Sequence, residues 1–308
     1  MPDGVTFPFD PPVGSRRPCA HREAEVSLLL DVVGALDEGQ PAIAACLREH
    51  GVGSREVALM FDAPFGVDGP ALFELGDLRA LLFTPSMTQS AMRVSDPSEL
   101  LLDYTRAMMG FLLLQPVPRR IEMIGLGGGS LAKYCHRHLP DADITVVEID
   151  PRVIALRDRF EIPRDGTHFR VVQADGADFV RDDRSHPDII LVDGFSQHGQ
   201  ARRLDESEFY RNCRDRLSDE GVLVVNLCSS AFACRIAKTR LRRTFGNEII
   251  VVPIDGEQNR IVFASKSRSV LDAGQLQRVA ATLDMRQGVD FSKLATQMAK
   301  TLASTRVS

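Results

Sequence analysis

From Arg120 onward the chain repeats one pattern, a short apolar run followed by a stretch of helical character. The runs are Ile121–Ile124, Ile144–Val147, Phe169–Gln173, Ile189–Val192, Val222–Val225, Ile249–Val252 and Ile261–Ala264. Runs this continuously apolar are strands buried on both faces, a burial that belongs to parallel sheets covered by helices. Only "PIDGEQNR" separates the last two, too short for a right-handed helical crossover, so these two pair antiparallel. The pattern predicts an α/β fold with a seven-stranded, mostly parallel sheet.

The region upstream has a different texture. Residues 1–20 are rich in Pro and Gly and lack an apolar core segment, which reads as a flexible arm and not a signal peptide. "HREAEVSLLLDVVGALDEG" has helical spacing and a stop at Gly39. Between Arg55 and Met92 short alternating runs, with a hairpin at Gly76-Asp77, predict a small antiparallel sheet. "DPSELLLDYTRAMMGFLLLQPVP" opens with a helix N-terminal signature and ends at prolines. The expected organisation is an arm over 1–20, a helix and small β-sheet domain over 21–115, and a ligand-binding domain over 116–308. The last of these carries a helical tail packed outside.

Composition narrows the function. A net charge of −5 gives no electrostatic case for a nucleic-acid partner. The basic group Arg235, Lys238, Arg240, Arg242 and Arg243 reads as a solvated helix face. Six cysteines without a C-x-x-C pair read as reduced thiols in a cytoplasmic protein, with no metal site. No apolar stretch approaches bilayer length, so no membrane partner is expected.

The chemistry gathers where the strands end. "IGLGGGS" (124–130) follows the first strand, and such glycines let backbone approach a ligand at a helix N-terminus. Glu148 ends the second strand, where a carboxylate can accept both hydroxyls of a ribose. Asp175 and Asp193 follow the third and fourth strands. Any one of them could be a helix cap, but acids at successive strand ends line a ligand crevice. The loop alone is compatible with NAD, FAD or S-adenosylmethionine. As a dinucleotide fingerprint it is imperfect, since Ser130 stands where a third glycine belongs. His136 and His138 are explained by a helix C-terminus. Arg202 and Arg203 read as surface residues able to meet a carboxylate of the ligand.

Over about residues 70–266 the chain resembles the spermidine synthase family of polyamine aminopropyltransferases. The phrases that carry the likeness are "TQSAM", "QPVPRRIEMIGLGGGS", "VEID", "ADGADF", "DIILVDGFS", "LDESEFY" and "EGVLVV". The resemblance implies a Rossmann-like class I methyltransferase fold, and a homodimer formed through the N-terminal sheet. It implies that Gly125, Gly127, Gly128, Gly129 and Gly176 shape a nucleoside site. Gln89 would contact the nucleoside, Glu148 the ribose and Asp175 the adenine amino group. Asp193 would be the base toward an attacking amine, with Tyr104 and Tyr210 near family positions on the acceptor side and Ser196 where the family has a second aspartate. His198, five residues past Asp193, could serve as a base near neutral pH but reads first as an exposed loop histidine. The co-substrate would be S-adenosylmethionine or its decarboxylated form, the partner a small amine.

The chain departs from the family on the side that reads the transferred tail and the acceptor. Gly128 replaces the aspartate that binds the aminopropyl amine, Ser196 and Gln197 replace a further Asp-Pro, and the acceptor tyrosines are mostly missing. Asp255 and Glu257 are candidate replacements. Three readings follow: a transferase alkylating an amine with Asp193 as base, an S-adenosylmethionine-dependent methyltransferase on a small acceptor, and a non-catalytic nucleoside-binding protein. The first leads, because a simple methyl-donor site has no use for Asp193.

Overall fold

The computed structural model describes residues 19–35, 45–46, 49–50, 60–61, 69–84, 87–182, 185–196, 199–228, 230–246, 249–254, 259–267, 272–283 and 288–306. Packing divides the chain into two units, Met1–Pro97 and Ser98–Ser308. The expected arm lies almost wholly outside the described residues.

The first unit holds helix α1 (Cys19–Gly34) and a four-stranded antiparallel sheet, β1 (Met60–Phe61), β2 (Ala71–Leu75), β3 (Leu78–Thr84) and β4 (Met87–Arg93), in that order. Helix α1 stops at Gly34, short of the expected Gly39, which is outside the described residues. The β2–β3 hairpin turns at Gly76-Asp77 with Leu75 opposite Leu78, and Gly76 takes the positive φ (+58°) that so tight a turn requires. Buried Arg93 on β4 donates to Glu25 of α1 at 2.8 Å and so ties helix to sheet.

The second unit begins with a turn and an irregular stretch and then α2 (Asp103–Met108), which tightens into a 3-10 turn over Met109–Leu113. The Asp-Pro-Ser-Glu signature does not start this helix. Leu100, Leu101 and Leu102 are buried in succession, and an amphipathic helix there would turn one of them outward. The backbone stays extended at Leu102 (φ −89°, ψ 135°) and the helix follows. Residues 98–115, grouped by sequence with the N-terminal region, thus pack in the second unit, where α2 meets β11 (Val222–Cys228) and β13 (Asn259–Ser265).

The main sheet has the order β12-β13-β11-β8-β5-β6-β7, with β5 Arg120–Ile124, β6 Asp143–Glu148, β7 Phe169–Gln173, β8 Ile189–Val192 and β12 Ile250–Pro253. The chain leaves β5 toward β6 and β7, then returns to place β8 on the other side of β5. The order therefore reverses at β5, where ligands of open α/β sheets bind. Strand β13 alone runs antiparallel, to both β11 and β12. The seven-stranded, mostly parallel sheet and the small antiparallel region are those the sequence predicts.

Helices α3 (Ser130–His138), α4 (Pro151–Ala155), α5 (Gly176–Asp182), α6 (Ser207–Arg216) and α7 (Ala231–Phe245) connect the strands. The tail forms α8 (Ala273–Leu283) and α9 (Phe291–Arg306) and is more than an outer layer. Leu276, Ala280, Phe291, Ala295 and Met298 are fully buried, and α9 packs on β12 and the 3-10 turn. Inside the unit, Arg216 of α6 donates through Nε and Nη2 to Glu122 of β5 at 2.6 and 2.7 Å, both side chains 1% exposed. Among the described residues the five cysteines whose side chains are placed are free thiols, and no helix is long and apolar enough to cross a membrane.

Candidate functional site

Parallel register decides which residues share the crevice. Ile124 at the end of β5 lies opposite Val147 of β6 and Val192 of β8. Gly125, Glu148 and Asp193, each the next residue, therefore emerge together at the C-terminal edge. Backbone bonds lock the junctions: Gly125 N–H donates to Val147 O at 2.8 Å, and Asp193 N–H to Ile124 O at 2.9 Å.

The loop after β5 needs its glycines for different reasons. Gly125 has φ +103°, and a Cβ there would stand 2.2 Å from the Asp193 carbonyl oxygen. Gly129, at φ +69°, takes the N-cap of α3, and no side chain caps that helix. Its leading N–H groups can then serve a ligand. Gly125→Ala combines a forbidden φ with a backbone collision, so it should cost more than about 2 kcal/mol. Urea unfolding would measure this; a loss below 0.5 kcal/mol, roughly the scale of a neutral surface change, would contradict the described loop.

Glu148 is buried at the tip of β6. Its Oε2 accepts from Leu126 N–H and its Oε1 from Asp150 N–H, each at 2.9 Å. One carboxylate thus fixes the glycine loop to the next strand and keeps lone pairs for hydroxyl donors. Asp175 is a helix cap: its Oδ1 accepts from Ala177 N–H at 2.8 Å at the start of α5. Its other oxygen is paired with Arg203, which also grips Asp178 at 2.7 Å. Arg203 bonding, with help from Arg181, holds the Asp178 carboxyl down at about 2. Gly176 packs too close to Ile124 to carry a Cβ, which would lie 2.2 Å from Cγ2.

Asp193 has a different environment. Asn226 of β11 donates from Nδ2 to its Oδ1 at 2.8 Å, and Asn259 of β13 donates from Nδ2 to Asn226 Oδ1 at 2.9 Å. Tyr104 is hydrogen-bonded to the same carboxyl. Asp193 retains partial exposure, yet burial raises its pKa from 3.8 to about 6, against the lowering effect of Asn226 and Tyr104. An acid that ionises near neutrality at the C-terminal edge of such a sheet is suited to take up a proton.

The structure thus brings Gly125, Glu148, Asp193 and Tyr104 together and sets Asp175 with Gly176 at the next strand end. Tyr210 is not brought there: its ring is fully buried in the core and its hydroxyl donates to Asp205 at 2.8 Å. Gln89 is half-buried on β4 of the first unit. Ser196 lies on a two-residue strand, β9 (Phe195–Ser196), paired with β10 (Gly199–Gln200). His198, Gln197, Asp255 and Glu257 are outside the described residues. Asn226, Asn259 and the Arg203 pairing escape the sequence reading. The one available signal was Asn226, the polar residue inside the apolar run "VLVVNLC". Among the described residues no group of three or more His, Cys, Asp or Glu is arranged to hold a metal.

Residues 102–243 match the spermine/spermidine synthase domain. The polyamine aminopropyltransferase of Neisseria meningitidis is 37% identical over 235 residues, covering 75% of this chain and 89% of that protein. Spermidine synthase from Thermotoga maritima superposes with a TM-score of 0.54 over 72% of this chain and 78% of its own, at 19% identity, a likeness of fold alone. Human methyltransferase-like protein 13, crystallised with SAH, superposes with a TM-score of 0.53 at 26% identity, over 60% of this chain and 92% of its own.

Proposed function

The chain belongs to the spermine/spermidine synthase family, a family of transferases, and from that premise we propose that it moves an aminopropyl group from decarboxylated S-adenosylmethionine to an amine. The observation that carries the reading is Asp193, a carboxyl held by Asn226 and Tyr104 beside a nucleoside-type crevice, with a pKa near 6. In this reading Glu148 receives the ribose hydroxyls and Asp175 the adenine amino group. The neutral amine nitrogen attacks the carbon next to the sulfonium, a C–N bond forms, and the C–S bond breaks to leave a neutral thioether. The new ammonium gives its proton to Asp193. The sulfonium already supplies the leaving group, so the protein's share is alignment and charge stabilisation.

For Asp175 to meet adenine, the amino group has to share a carboxylate oxygen with Ala177 N–H or Arg203, or displace the latter. Gly128 supports a second reading, a methyltransferase. An aspartate at Gly128 would attract the cationic tail of the decarboxylated donor and repel the carboxylate of ordinary S-adenosylmethionine, and glycine does neither. Thermal-shift titration with both donors separates the two readings. Greater stabilisation by the decarboxylated donor, with transfer to a diamine seen by mass spectrometry, supports aminopropyl transfer. The reverse order supports methyl transfer. Gly128→Asp should weaken ordinary S-adenosylmethionine about tenfold, read by calorimetry; unchanged affinity would mean that the tail lies elsewhere.

A further inference from the structure

Away from the crevice, α6 and α7 pack side by side, and each presents two arginines one helical turn apart. Arg211 and Arg214 come from α6, Arg240 and Arg243 from α7, and all four line one cavity of about 360 Å³. Asp215 is the lone carboxylate of the lining. Arg240 is accounted for, since its Nη1 donates to the carbonyl and to Oδ2 of Asp205 at 2.6 and 2.7 Å. Arg211, Arg214 and Arg243 form no salt bridge among the described residues. The Nε of Arg214 is buried and has no hydrogen-bond acceptor.

A solvated basic face would send its guanidinium groups apart into water. Here like charges converge on a concavity, and one N–H has given up water without gaining a partner. Both features are unfavourable, and an anion in the cavity would relieve both. Guanidinium forks pair with phosphate oxygens two at a time, and a cavity of this size falls in the range of small-molecule sites. We infer that the cavity between α6 and α7 is a binding site for an oligophosphate, either inorganic or the tail of a nucleotide, with Arg211, Arg214 and Arg243 as its ligands. The site is separate from the crevice and does not depend on the aminopropyl reading.

The test is calorimetric titration of the full chain at low ionic strength with inorganic tripolyphosphate and, separately, ATP. Saturable binding of tripolyphosphate is expected. Removal of a charge-assisted bond should weaken it about tenfold in Arg214→Gln or Arg243→Gln, and more in the double variant. Arg235→Gln should leave it intact, because that guanidinium stacks on Phe232 outside the cavity lining. Equal affinity for the two probes assigns the phosphate chain alone, and tighter ATP binding that is still lost in Arg214→Gln assigns a nucleotide. Absence of tripolyphosphate binding to the wild-type chain would overturn the inference. So would undiminished binding in a double variant that melts like the wild type.

Discussion

Asp193→Asn is expected to lower turnover by roughly 10²–10⁴-fold, the usual contribution of the positioned general base that the proposed function makes of it, while donor affinity changes little. Asn keeps the shape and the oxygen that accepts from Asn226, so packing is preserved and basicity alone is removed. In the proposed reaction the same residue sets the pH profile. Burial raises its pKa to about 6, so below that pH Asp193 is protonated and cannot receive the ammonium proton. The wild-type rate should therefore fall as pH drops through about 6, and the variant should lose this limb. Tyr104→Phe removes a bond that favours the ionised form, so the limb should move to higher pH. Folding is linked with the opposite sign. The protonated form is favoured in the native state, so stability is fullest below 3.8 and declines as pH rises through about 6. Steady-state rates from pH 5 to 9 decide the matter. An Asp193→Asn variant within threefold of wild type, far below the roughly hundredfold minimum for a general base, would remove Asp193 from the reaction.

The largest loss of stability is expected at Arg216→Met. Arg216 and Glu122 are both 1% exposed, and Ser185 completes the cluster by accepting from Arg216 Nη2 at 3.1 Å while its hydroxyl donates to Glu122. Removing the guanidinium leaves a buried carboxylate without its counter-charge, which costs about 3–5 kcal/mol. For a unit of this size that corresponds to a Tm lower by roughly 6–20 °C. The paired change Glu122→Met with Arg216→Met should recover most of the loss, since an apolar pair of similar volume needs no desolvation of charge. Thermal and urea unfolding of both variants would test this. A double variant as unstable as the single one would show that the pair contributes beyond mutual compensation.

Most of the scaffold is legible in the sequence because doubly buried strands must be apolar throughout. All seven runs are strands, and Phe169–Gln173 and Ile189–Val192 have the bounds read from sequence. Several others extend by a polar residue, such as Arg120, Glu148 or Asn259, that joins the ladder at its margin. The placement of Glu148 and Asp193 is legible for a related reason: in parallel strands, the residue after the apolar run comes out at the C-terminal edge. Properties of pairing are not legible. That Asn226 faces Asp193, and that Asn259 faces Asn226, depends on the alignment of β8, β11 and β13, which no local pattern encodes. The late start of α2 reflects tertiary override, three successive leucines finding a core before a helix could form.

A strand that runs against its neighbours begins where they finish. Because β13 is reversed, its first residue, Asn259, arrives at the crevice rim beside the ends of the parallel strands, and reaches Asp193 through Asn226. The acidity of a group less than two-thirds of the way along the chain is thereby wired to the closing hairpin of the sheet. Damage confined to that hairpin would announce itself first as a displaced titration curve.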